Sequence, residues 1–304
     1  MRVDPFYSTN LVGSLDQTQA SVQQLTSELS SGVSITSLSQ NPVGSGENVL
    51  LLNQMQQDDS FTQSSTLVTG QLQVADSALG SVVTELTSAI SLATSANNGT
   101  MNSSNVKSIA NQISGILNEV TSLANTSYQG QYIFAGGQTS TAPFVTSTAT
   151  SPATTAYNGD ENVNYLHTPN GQKIQLNVPG DQIFMGAGSN SVFGALNALI
   201  ADYSSGTVDT SQAVSDTTAL GTALNYVSQQ RVTIDNSITQ VTTASDAVSN
   251  VQSQLTTAQT NLMQADIPTI STQLSLAETQ QTALEDVIAQ LNSTSNDLFS
   301  KLPA

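Results

Sequence analysis

The chain has 304 residues, of which 38% are hydrophobic and only 9% are charged, and it contains no cysteine. The lack of cysteine excludes disulfides, thiolate nucleophiles and sulfur-ligated metal centres. Five basic residues against 22 acidic ones give a formal net charge of −17, which argues against nucleic acid or an anionic membrane surface as a partner, because both attract Lys and Arg.

The N-terminal sequence, MRVDPFYSTNLVGSLD, lacks the apolar segment of a cleavable secretory signal. No stretch of the chain approaches the ~18 consecutive apolar residues that a membrane-spanning helix requires. We therefore expect a chain that stays in the cytosol or leaves it by a route that does not read a cleavable signal.

The first predicted element is a helix from about Leu11 to Ser31. Its apolar side chains recur with heptad spacing, and Thr18 fills one vacant place. Gly32 follows as a residue that tolerates positive φ at the helix end, and a loop is predicted over residues 37–46. The apolar stripe of this helix consists of Leu11, Leu15, Val22, Leu25 and Leu29.

The middle of the chain changes character near Gly130. Before it, the periodicity predicts a long helix from Glu47 to Ala96 and another over residues 106–123. After it, short apolar runs with Gly and Pro between them predict strands, followed by a helix that Ser189 or Ser191 caps and that ends near Tyr203. The predicted strands are residues 132–135, 162–166, 173–178 and 182–185, with a Ser/Thr-rich surface loop over residues 139–155.

The last third is helical again, with apolar residues on a heptad lattice from Leu220 to Leu262. Pro268 predicts a kink or a join between two helices, because proline removes a backbone hydrogen bond and clashes with the preceding turn. A second stripe then continues to the end of the chain. Its members are Ile270, Leu274, Leu284, Ile288, Leu291, Leu298 and Leu302, with Ala277 between them.

These elements predict a mainly α protein with a β-rich insertion, of α+β class. Long coiled-coil helices lie at both ends, and a helical middle domain is built from both halves of the chain. We place the terminal coiled-coil domain at residues 1–42 and 263–304 and the helical middle domain at residues 43–135 and 206–262. The inserted outer domain takes residues 136–205.

The two terminal stripes differ in length. They extend about 27 Å and about 48 Å at 1.5 Å per residue, so they cannot cover each other completely. Either they form the core of a monomeric bundle or other chains bury them, and we expect the second for the two ends. We accordingly expect residues 1–40 and 265–304 to be disordered in the free monomer. For the middle helices we expect burial within the chain.

No set of residues in the sequence predicts a catalytic, cofactor or metal site, so we expect no enzyme and no cofactor. Asp58 and Asp59 are adjacent on a helix and do not face each other. His167 is the single histidine, and a general base requires an oriented partner that the sequence does not provide.

Several phrases of the sequence resemble the flagellin superfamily and, within it, the junction proteins between hook and filament. They are Leu-Ser-Ser-Gly at residues 29–32, Gln-Tyr-Ile-Phe-Ala-Gly-Gly at residues 131–137, Ala-Asp-Ile at residues 265–267 and Gln-Gln-Thr-Ala-Leu at residues 280–284. One departure is Ser-Gln-Asn-Pro at residues 39–42, where the family usually has two acidic residues.

The resemblance implies a structural subunit of the bacterial flagellum that joins the hook, through hook-associated protein 1, to the flagellin filament. It also implies copies of the chain itself as partners, a cytosolic export chaperone, the flagellar type III export apparatus and an extracellular location. Two alternatives remain at this point. One is flagellin itself, which polymerises into filaments, and the other is an adhesin carried by residues 136–205.

Overall fold

A computed structural model describes residues 5–35, 41–98, 101–147, 154–186 and 191–300. The chain divides into two compact units. The first consists of Met1–Gln56 and Val251–Ala304, and the second of Gln57–Asn250. The first unit therefore takes residues from both ends of the chain, whereas the second is one continuous stretch.

Seven helices follow one another in the described residues. Two of them are very long because Leu, Ala, Val and Ile recur at helical spacing over more than 50 residues. The helices are α1 Pro5–Ser31, α2 Pro42–Ala96, α3 Ser103–Ala124, α4 Gly180–Phe184, α5 Val192–Ser204, α6 Thr210–Met263 and α7 Ile267–Ser300.

The beginning of α2 corrects the sequence prediction. The loop predicted to extend to residue 46 ends earlier, because Asn41 accepts a hydrogen bond from the Gly44 backbone N–H at 2.9 Å and caps the helix. Pro42 suits the first helical position, where no backbone donor is needed. The cap predicted for α5 is confirmed at Ser191, whose Oγ accepts from the Gly194 N–H at 3.0 Å, while Ser189 lies outside the described residues.

The described strands form three separate antiparallel pairs: β1 with β2, β3 with β4, and β5 with β6. An Asn170-Gly171 turn connects the last two, with Gly171 at φ +86°. Two predictions were wrong. Residues 182–185 were predicted as a strand, but 182–184 belong to α4, and the predicted loop 139–155 contains β3 and the start of β4. The strands are β1 Ser127–Tyr128, β2 Gln131–Tyr132, β3 Phe144–Ser147, β4 Thr154–Tyr157, β5 Tyr165–His167 and β6 Lys173–Gln175.

The second unit has one hydrophobic core, to which its helices and its strand-rich segment both contribute. Leu79, Leu86 and Val82 of α2 are fully buried in it, as is Ile113 of α3. α5 packs against α3, and the buried Tyr203 hydroxyl donates to the Ala93 carbonyl of α2. The predicted burial of the middle helices within the chain is thus what the structure shows for this unit.

Aromatic side chains join the strand-rich segment to that core. Phe144 of β3 lies 5.3 Å from Phe184 of α4 and 5.2 Å from Phe193 of α5, measured between ring centroids. Such tilted and edge-to-face contacts add to the burial of the rings. The fold is therefore mainly α with small antiparallel strand pairs, and the finer division into three domains stays a prediction.

Candidate assembly surfaces on the terminal helices

The apolar stripe of α1 occupies one face of the helix. Leu11 is buried, and the other four stripe residues are half-buried, as is Thr18 in the vacant place. Most other described side chains of α1 are exposed, with Glu28 as the main exception because it packs inward and accepts a hydrogen bond from Gln24. The heptad spacing thus gave the correct face.

The stripe of α7 is equally regular. Between residues 267 and 293, shielded side chains occur at 270, 274, 277, 281, 284, 288 and 291, and the positions between them are exposed. Ile270 and Ala277 are buried, whereas Leu274, Leu284, Ile288 and Leu291 are half-buried. The Leu298 side chain and the whole of Leu302 lie outside the described residues.

A compact join connects the two helices. Gly32 ends α1 with φ +69°, and its carbonyl accepts from the Ala265 N–H at 3.0 Å. The Ser34 N–H donates to the Met263 carbonyl at 2.7 Å, so the two linkers pair side by side. Pro268 lies in the first turn of α7, which confirms that it marks a join between two helices.

α1 and α7 pack against each other. Because the end of α1 and the start of α7 share the join, the two helices run antiparallel. A pair of helices buries only the seam between them, and this explains why most stripe leucines keep part of their surface in contact with solvent. Each half-buried leucine or isoleucine would gain on the order of 1 kcal/mol if a further helix covered it.

The beginning of α2 carries a surface that the sequence analysis missed. Val43 is 81% exposed and Leu50 is 70% exposed, and they lie seven residues apart on the same side of the helix. The sequence did not predict this pair because Val43 was assigned to the loop over residues 37–46, and a loop residue cannot be placed on a helical face together with Leu50. Its neighbour Asn48 faces α6 instead and accepts from Gln259 at 2.9 Å.

The acidic pair and the histidine lie apart from one another in the part of the chain that the structure describes. Asp58 is buried and Asp59 is exposed, so they lie on different sides of α2. His167 is exposed on β5, opposite Lys173 of β6. Within the described ranges, no three His, Asp or Glu side chains are placed to hold a metal ion, and no helix is long and apolar enough to cross a membrane.

Comparison with known proteins shows a similarity to bacterial flagellins and their relatives. The sequence profile of the bacterial flagellin N-terminal helical region matches residues 6–139. The chain carries a flagellin-family domain. The chain is also 26% identical over 187 residues to flagellar hook-associated protein 3 of Salmonella typhimurium. That alignment covers 61% of the chain and 57% of the relative, so the chain spans somewhat over half the length of that protein.

Solved structures show the same fold. A flagellar hook-associated protein from Vibrio parahaemolyticus superposes with a TM-score of 0.66 at 17% identity, covering 74% of this chain and all of that one. The flagellar junction protein FlgL from Legionella pneumophila gives 0.53 at 13% identity, covering 64% and 98%. The resemblance to the flagellin family, and within it to hook-associated protein 3, is confirmed.

Proposed function

We propose that the chain is a structural subunit of the bacterial flagellum that joins the hook to the filament and performs no catalysis. Hook-associated protein 1 on one side and flagellin on the other are the partners that this role requires. The observation that carries the proposal is the pair of half-buried heptad stripes on α1 and α7. Helices that bury only one seam in the subunit retain apolar surface for the helices of neighbouring subunits.

The same role implies export through the flagellar type III apparatus after a cytosolic chaperone has held the C-terminal helix. The family resemblance supports this step. The composition agrees with it, since a chain without cysteine requires no oxidative folding after export. The stripe residues of α1 and α7 are proposed as the assembly residues, including Leu298 and Leu302.

Two adjacent residues of α7 allow a matched test. Ile288 is half-buried on the stripe, whereas Val287 is 42% exposed beside it. Ile288→Asp is expected to abolish sedimentation of the full chain with hook-associated protein 1 and flagellin, because an unpaired carboxylate would be buried in the assembled seam. Val287→Asp introduces the same charge off the stripe and is expected to retain assembly.

Thermal unfolding followed by circular dichroism would serve as the control, since both variants should leave the transition of residues 57–250 unchanged. If both variants sediment like the wild type, the α7 stripe is not an assembly surface. If both variants lose assembly equally, the added negative charge explains the loss, and the position of the residue on the stripe does not.

Flagellin is the second candidate, because the matched profile is that of the flagellin N-terminal region. A flagellin elongates on filament seeds until the free subunit is exhausted. A junction subunit is expected to stop after adding to the end of the hook. Seeded growth measured by electron microscopy distinguishes the two.

A further inference from the structure

One charged contact joins the two longest helices, α2 and α6. Arg231 is the only Lys or Arg in either helix. Its guanidinium donates two hydrogen bonds to the Asp76 carboxylate, from Nε to Oδ1 at 2.5 Å and from Nη2 to Oδ2 at 3.0 Å. This is the one ion pair among the described residues. A two-point contact of this kind specifies the relative position of the two side chains as well as attracting them.

Arg231 occupies a place that the apolar pattern of α6 assigns to the core. It lies four residues after Val227 and three before Ile234, and both of those neighbours are buried. The Arg231 side chain is nevertheless 40% exposed and that of Asp76 22% exposed. A partly exposed ion pair contributes little to stability, so stability alone does not explain why this place holds a charged residue.

The apolar residues of α2 leave its register against α6 undetermined. Leu72, Leu79 and Leu86 recur every seven residues, with alanine or valine at the intermediate places. A slip of one heptad displaces a helix by about 10 Å at 1.5 Å per residue and would again bring leucine against the apolar lattice of α6. Burial of apolar surface therefore distinguishes only weakly between the native register and the slipped ones.

The native register alone accommodates the arginine. There the guanidinium lies beside Gly80, where an added Cβ would stand 3.4 Å from the Arg231 Cζ. The residues seven before and seven after Asp76 are threonine and valine, and those seven before and seven after Gly80 are glutamine and threonine. A slip of one heptad in either direction would therefore leave Arg231 without a carboxylate and without the space that the glycine provides.

We propose that Asp76, Gly80 and Arg231 determine the register in which α2 pairs with α6. A polar residue at a single core place can specify the register of a coiled coil at little gain or even some cost in stability. The repeated stripes of this chain make such a residue necessary, because they also fit the wrong register. The inference concerns the folding of one chain, so it holds whether or not the chain joins hook to filament.

Spin labels on two engineered cysteines test the proposal, because the chain has no cysteine of its own. Leu67→Cys on α2 and Val232→Cys on α6 use exposed positions, and double electron–electron resonance measures the distance between the labels in the full chain after refolding from urea. The labelled parent is expected to give one distance maximum. Arg231→Leu is expected to add a second maximum from about a tenth of the molecules or more, the population that a gap of about 1.4 kcal/mol allows.

Stability and two control variants separate register from simple stabilisation. Arg231→Leu is expected to unfold at the same or a higher urea concentration, because leucine completes the apolar lattice. Gln229→Leu adds the same side chain at an exposed position two residues away and is expected to keep one maximum. Arg231→Lys retains the charge but not the two-point contact and is expected to give a smaller second maximum than Arg231→Leu.

A single maximum at the parent distance in folded Arg231→Leu would overturn the proposal, whatever the urea midpoint, and so would an equal second maximum in Gln229→Leu. If circular dichroism shows that Arg231→Leu does not fold, Asp76→Asn tests the same contact from α2. That variant is expected to give the second maximum, and a single maximum there would overturn the proposal equally.

Discussion

The carboxylates at the corner between α5 and α6 allow a quantitative prediction. Burial raises the pKa of Asp202 from 3.8 to about 6, helped by a hydrogen bond to Asp216 and by the negative charges of Asp216 and Asp209. The folded state therefore holds a proton on Asp202 that the unfolded chain loses at lower pH. Folded stability falls as the pH rises between 3.8 and 6, and the full cost persists above that range.

The Asp202→Asn variant removes this cost. A shift of about two units corresponds to about 3 kcal/mol at 1.36 kcal/mol per unit. Asp202 is only half-buried, so solvent still screens part of the interaction, and we expect a gain of about 1 kcal/mol at pH 7. For a unit of this size, that gain raises the melting temperature by about 2–4 °C.

Thermal unfolding followed by circular dichroism at pH 7 and pH 5 measures the effect. About half of the gain should remain at pH 5, because the folded carboxyl is then largely protonated while the unfolded one is not. Glu119→Gln on the exposed side of α3 removes one negative charge elsewhere and controls for the net charge. A melting temperature that does not rise at pH 7, or a gain that is equal at both pH values, would refute the reasoning.

Three other predictions follow from the same structure. Leu86→Ala should destabilise the unit of residues 57–250 by about 2–5 kcal/mol in urea unfolding, because Leu86 is fully buried; a loss below 1 kcal/mol would contradict the core described above. An excised fragment of residues 136–205 should lack a cooperative thermal transition, because Phe144, Phe184 and Phe193 pack in a core shared with α2 and α3; a sharp transition would show an independent domain. Assembly should strengthen as NaCl rises from about 10 to about 150 mM, because subunits carrying −17 repel each other, and light scattering that falls over that range would contradict it.

Periodicity alone predicted which faces of α1 and α7 are shielded from solvent. The stripe positions of α1 and α7 coincide with their shielded side chains, because a heptad repeat sustained over several turns leaves only one face for burial. The prediction needed no tertiary information. It could not show how far each leucine is covered, since that depends on how closely a second helix approaches.

Short apolar runs were less informative. Residues 182–185 read equally well as a strand or as a helical turn, since periodicity cannot separate the two over four residues. In the fold, the Phe184 ring packs against Phe134 and Phe144, and this packing favours the helical conformation of residues 182–184. Strand β3 was hidden because its Thr and Ser residues resemble those of a loop.

The remaining features that the sequence did not predict depend on tertiary contacts between distant residues. Asp202 and Asp216 are fourteen residues apart on different helices, so no local pattern predicts that Asp216 helps to raise the pKa of Asp202. Asp76 and Arg231 are separated by 155 residues, and only the packing of α6 beside α2 brings them together. The sequence contains each group but not the distance between them.

The central claim is that the stripes of α1 and α7 require other subunits for complete burial. Hydrogen exchange of the full chain, measured by mass spectrometry in dilute monomer and again in assembled material, tests it most directly. We expect residues 5–31 and 267–300 to exchange rapidly in the monomer and slowly in the assembly, while residues 72–93 stay protected in both. Slow exchange of α1 and α7 in the dilute monomer, equal to that of the α2 core, would contradict the claim.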